Sequence, residues 1–81
     1  VSKLTDPLRK KAIRSRLARV EGQLRGIQRL IEYDQDCEQI AQQLSAARKA
    51  LDKTFFAMVA CMMEQDDSSP AHIAKMLTKF A

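Results

Sequence analysis

The chain has 81 residues, 14 Lys/Arg against 10 Asp/Glu, and a formal net charge of +4. Two glycines, two prolines and no tryptophan, beside abundant Ala, Leu, Gln, Arg, Lys and Met, argue against a sheet and for helices. No run is long and apolar enough to span a bilayer and the front shows no signal-peptide pattern, so the expected compartment is the cytoplasm, where two cysteines are buried, metal-binding or redox-active more often than disulfide-bonded.

The charge is polarised. Residues 1–29 carry nine Lys/Arg and two acids, whereas residues 30–81 are net acidic. Such asymmetry focuses a positive field on one part of the surface.

The first helix is expected over about 7–34. Asp6 suits an N-cap and Pro7 the first helical position. Ile13, Leu17, Val20, Leu24, Ile27 and Ile31 alternate four and three apart, a heptad seam. Gly22 and Gly26 lie four apart and leave one face without side chains, where another backbone can approach closely.

Polar residues from Glu32 to Asp36 interrupt the seam, and Asp36 with Gln39 resembles a capping box. A second helix is expected over about 36–65, with one row reading Cys37, Leu44, Leu51, Met58 and another Ile40, Ala47, Thr54, Cys61, widened by Phe55 and Met62. Asp66, Asp67 and Ser68 read as a turn. Ser69 then caps a short helix over about 70–80 that starts at Pro70 and carries Ile73, Met76, Leu77 and Phe80. One small all-α domain of three helices (long, long, short) follows. A core of this size is marginal alone, and two antiparallel copies pairing their long helices make a four-helix bundle.

The basic residues of the first helix mostly avoid its seam. With no helix-turn-helix signature and no interleaved aromatics, duplex DNA held through phosphates and shape fits them better than single strands. Lys10, Lys11, Arg14, Arg16, Arg19, Arg48 and Lys53 are the candidate DNA contacts. The bland alternative is a solvated charged face on a coiled-coil dimerisation module.

Cys37 and Cys61 are 24 residues apart, about 36 Å along one helix, too far to meet within a chain. In an antiparallel pair, Cys37 of one chain lies near Cys61 and Met62 of the other. Soft sulfur donors, with Met58 and Met63 close by, suit Cu(I). The same thiols also suit covalent sulfur chemistry. The alternatives are that Cys61 packs as a small hydrophobe and the methionines fill the core. A copper-storage bundle is a remoter reading, weakened by there being only two cysteines. His72, the only histidine, reads as a surface residue, and no catalytic constellation points to an enzyme.

The run Arg16-Leu17-Ala18-Arg19-Val20-Glu21-Gly22-Gln23-Leu24-Arg25-Gly26-Ile27, then Asp36-Cys37 and Gln42-Gln43-Leu44-Ser45-Ala46-Ala47-Arg48, resembles the first- and second-helix signatures of the CsoR/RcnR/FrmR repressors. The likeness runs ungapped from about Arg16 through Asp66. It implies an all-helical dimer, usually a dimer of dimers, that represses transcription until copper, nickel or cobalt, formaldehyde or a reactive sulfur species releases operator DNA. It gives Cys37 the central sensing role and Arg16 and Lys53 a DNA role. The sequence departs from each branch of the family. Met62 stands where copper and formaldehyde sensors have His, Asp66 where copper and persulfide sensors have a second Cys, Gln23 where some metal sensors have His, and Asp36 where some copper sensors have Tyr. The histidines of the nickel and cobalt branch are missing. The sensor set expected here is Cys37 with the partner chain's Cys61 or Met62.

Overall fold

The structure is a computed structural model that describes residues 3–65 and 69–81. Its elements are α1 (Pro7–Glu32), α2 (Cys37–Gln65) and α3 (Pro70–Phe80), with no strand among the described residues. The expected all-α order of long, long and short helix is observed. The turn expected at Asp66, Asp67 and Ser68 lies outside the described residues.

Both predicted Asp-Pro and Ser-Pro starts form. The Arg9 backbone N–H donates to Asp6 Oδ2 at 3.2 Å, and the His72 N–H donates to Ser69 Oγ at 3.1 Å. Each cap satisfies one of the amides that a helix start leaves without a partner, and the proline after it has no amide to satisfy.

The end of α1 differs from the expected one. The helix stops at Glu32, and Tyr33 and Asp34 form the turn instead of a last helical step. Asp34 adopts φ 54°, the left-handed region. Its N–H donates to the Ile31 carbonyl at 3.2 Å, and the Gln35 N–H donates to the Leu30 carbonyl at 2.9 Å. This pair of reverse bonds is a Schellman closure, with Asp34 where glycine is usual. Asp36 caps the second helix, as its pairing with Gln39 predicts: the Gln39 N–H donates to Asp36 Oδ2 at 3.4 Å, and the helix proper starts one residue later than expected, at Cys37.

The tight turn sends α2 back along α1 as an antiparallel hairpin. The hairpin and α3 span 48 × 28 × 14 Å between Cα atoms, so the smallest dimension is close to one helix diameter of about 10–12 Å. A single layer of helices leaves two broad faces open, and no side chain among the described residues is completely buried.

The heptad seam therefore divides. Ile13, Val20 and Ile27 on α1 are buried, as are Ala47 and Thr54 on α2. Thr54 meets its hydrogen-bonding need inside its own helix, its hydroxyl donating to the Ala50 carbonyl at 2.9 Å. The other rows stay exposed: Leu17 and Leu24 are each 41% exposed, Leu44 49% and Leu51 45%.

The third helix runs back beside α2. Phe80 shares a groove with Leu51, Phe55 and Phe56, while Ile73 and Leu77 share another with Met63. Val59 is buried although it belongs to neither expected row of α2. It lies on the flank of Phe55, Phe56 and Met63, beside α3, which a two-helix seam does not anticipate. At Gly22 and Gly26 a Cβ would meet nothing within 4 Å, so no backbone of the same chain takes up the bare strip they leave on α1.

Candidate nucleic-acid interface and thiol site

Arg16 and Arg19 follow each other on α1 at i and i+3, so they share a face. The hairpin brings Lys53 of α2 beside them. The three line a groove of about 340 Å³ with Val20, Gln23 and Thr54 among its other walls. Three of the candidate DNA contacts are thereby assembled from two helices.

Lys10, Lys11 and Arg14 are not part of that groove. At about 100° per residue, Arg14 and Arg16 fall on opposite sides of the Ile13 row. Lys10, Lys11 and Arg14 line a second recess of about 630 Å³ along α1, together with Leu17, Ala18 and Glu21. Arg48 is exposed and lines neither. Arg9 is committed elsewhere: its guanidinium pairs with Glu64 of α2 and lies 3.8 Å from Asp6. One chain therefore presents two cationic patches instead of a continuous basic face.

Gln23 lines the same groove, a position at which the sequence alone showed only a missing histidine. Its Oε1 is buried and has no hydrogen-bond partner. The signal was present in the spacing, since Gln23 follows Arg16 by seven and Arg19 by four on one helix.

The cysteines are free. Cys37 is the first residue of α2 and exposed, while Cys61 is half-buried near the end of the same unbroken helix. Met58 and Met62 are half-buried and Met63 is exposed. Among the described residues no three His, Cys, Asp or Glu side chains are gathered to hold a metal ion. The soft donors of one chain stand apart, at the two ends of α2. His72 is exposed on α3, as expected. No described helix is long and apolar enough to cross a membrane.

The model of the metal-sensitive transcriptional repressor family matches residues 9–79, which takes in all of α2, nearly all of α1 and α3, the Arg16–Lys53 groove and both cysteines. The chain belongs to that family. Among its relatives are the copper-sensing transcriptional repressor CsoR of Bacillus subtilis (strain 168), 48% identical over 42 residues, and the copper-sensing transcriptional repressor RicR of Mycobacterium tuberculosis (strain ATCC 25618 / H37Rv), 56% identical over 36 residues. These matches cover 52% and 44% of this chain and 42% and 38% of the respective relatives, so the chain spans less than half the length of each. No solved structure matches it.

Proposed function

We propose that this chain is a repressor that binds operator DNA as a dimer, or as a dimer of dimers, and releases it when a cysteine site shared between two chains takes up Cu(I). The repressor role follows the family. The observation that carries the rest of the reading is the divided seam. Leu17, Leu24, Leu44 and Leu51 form an apolar face that the hairpin leaves uncovered, and Cys37 lies in the same row as Leu44 and Leu51. A second hairpin laid antiparallel on this face covers it. It also brings Cys37 to the far end of the partner's α2, where the partner's Cys61 and the partner's Met62 lie.

The donors fit the ion. Thiolate and thioether are soft ligands, and Cu(I) accepts low coordination numbers from them better than nickel or zinc does. The copper-sensing relatives support the same choice. Lys53 stands on the same helix as both cysteines, and Arg16 and Arg19 stand on the helix packed against it. A change in how two α2 helices meet therefore moves the cationic grooves relative to each other. A duplex that matched both grooves no longer does, which couples the sulfur site to DNA affinity.

The exposure of Cys37 supports a second reading, in which it reacts directly with a sulfane sulfur species or an aldehyde, with or without Cys61. One titration separates the two. Reduced protein is bound anaerobically to fluorescent promoter DNA and followed by anisotropy, with Cu(I) in one arm, inorganic polysulfide and formaldehyde in others, and Cys37→Ala as control. Release by Cu(I) that Cys37→Ala abolishes is the expected result. Release by polysulfide or formaldehyde alone supports the second reading, and release by none of them overturns the sensor assignment.

A further inference from the structure

One ion pair joins two helices among the described residues: the Arg9 guanidinium meets the Glu64 carboxylate. The α1 end of this pair is otherwise loosely held. From Pro7 to Ala12 no residue is buried and Arg9 alone is half-buried; Ile13 is the first core residue of the helix. Asp6 fixes Arg9 to this end, accepting its backbone N–H and lying 3.8 Å from its Nε. Lys10 and Lys11 come next on the helix and line the cationic recess with Arg14. Arg9 is therefore what joins this end of α1, with its cations, to α2.

The α2 end of the pair lies beside the sulfur donors. Glu64 follows Met62 by two residues and Cys61 by three. At about 100° per residue, Met62 falls within about 20° of the line of Leu51, on the open apolar face, whereas Glu64 stands about 160° round from Met62, on the far side of the helix. A movement of the last turn of α2 out of the hairpin is what carries Met62 towards the partner's Cys37. The same movement takes Glu64 away from Arg9.

We propose that Arg9 and Glu64 are positioning residues that hold the end of α2 in the arrangement that favours DNA, and that their ion pair is given up when the cross-chain sulfur site closes. The inference rests on the sensor reading above and names the contact that Cu(I) binding has to break. A contact made in only one of two states biases the equilibrium towards that state, and opposes a ligand of the other state by the same free energy. The pair thereby raises the Cu(I) needed to release DNA. Charge alone predicts the opposite sign: Glu64 is an anion close to a cation site, and neutralising it would weaken Cu(I) binding.

The test uses the reduced full chain under anaerobic conditions. Cu(I) affinity is measured without DNA, by competition with a chromophoric chelator, and release of promoter DNA is then followed by anisotropy as Cu(I) is added. The proteins are the wild type, Glu64→Gln, Arg9→Glu and the double exchange of Arg9→Glu with Glu64→Arg, with thermal midpoints recorded for each. Glu64→Gln is expected to bind Cu(I) about two- to fivefold more tightly, the range that an exposed ion pair supplies, and to release DNA at correspondingly lower Cu(I). Arg9→Glu sets two carboxylates against each other and is expected to do at least as much. The double exchange keeps the net charge, remakes the pair in reverse, and is expected to return both quantities to the wild-type values. Unchanged or weaker Cu(I) binding by Glu64→Gln overturns the proposal, as does a double exchange that behaves like Arg9→Glu alone; in either case release of the wild type by Cu(I) leaves the sensor reading standing. If Cu(I) does not release DNA from the wild type, the sensor reading falls and the proposal falls with it.

Discussion

The guanidinium of Arg9, on the first turn of α1, pairs with the carboxylate of Glu64, near the last residue of α2. The pair closes the open end of the hairpin opposite the Schellman turn. It also withdraws one arginine from the cationic surface, so the basic excess of the N-terminal third overstates the free positive charge there. The side chains remain 35% and 58% exposed, and solvent screens the attraction. Arg9→Ala is therefore expected to lower stability by no more than about 1 kcal/mol. In thermal melts followed by circular dichroism this is a shift of a few degrees that shrinks in high salt. A loss that persists at high salt would mean that packing by the arginine stem, and not charge, holds the end closed.

Asp34 gives a sharper test of local structure. Its left-handed φ of 54° is a conformation that glycine adopts freely, Asp tolerates and β-branched residues resist. Asp34→Gly is expected to leave the thermal midpoint unchanged or raise it slightly. Asp34→Val is expected to destabilise by more than about 1 kcal/mol, either straining the turn or forcing it open. Equal midpoints for the two variants would show that the Schellman bonds from Asp34 and Gln35 contribute nothing in solution.

The two proline-led helix starts could be read from the sequence because capping is local: Asp6 and Ser69 act on amides three residues away. The end of α1 could not, since its closure uses Asp34 where the usual signal is glycine. The rows of the seam were legible as rows, but a heptad pattern does not say which row meets the same chain. Ile13, Val20 and Ile27 turned inward and Leu17 and Leu24 did not, a choice made by the four-residue turn that sets the hairpin. Of the candidate DNA residues, the i, i+3 pair Arg16 and Arg19 could be placed on one face. The arrival of Lys53 beside them, and the separation of Lys10, Lys11 and Arg14, depend on how α2 returns.

The exposed rows carry an expectation about assembly. Leu24→Glu places a charge on the uncovered apolar face, where a monomer would tolerate it and a paired hairpin would not. Sedimentation of Leu24→Glu is expected to show loss of the dimer, and the thermal midpoint of the wild type is expected to rise with protein concentration. Ile27→Ala, by contrast, empties a buried position inside the hairpin and is expected to destabilise the fold by about 2–5 kcal/mol. A monomeric wild type, or a Leu24→Glu that still dimerises, would leave the cross-chain sulfur site without support.

The divided seam also ranks the donors at the far end of α2. Cys61 follows Ala47 and Thr54 at steps of seven, the row buried towards α1, and is itself half-buried. Met62 is one step of about 100° further round, on the side of Leu44 and Leu51, which is the side of Cys37. Met62 is therefore better placed than Cys61 to face Cys37 of a partner chain. Met62→Leu keeps the apolar bulk and removes the sulfur, so it is expected to raise the Cu(I) needed for DNA release with little change in stability. Cys61→Ala is expected to lower the thermal midpoint modestly and to shift the Cu(I) response less than Met62→Leu does. Copper K-edge absorption on each variant counts the sulfur ligands directly. If Cys61→Ala removes a sulfur from the copper shell and Met62→Leu does not, the thiol of Cys61 has turned out of its row to reach the site, and two thiolates hold the ion.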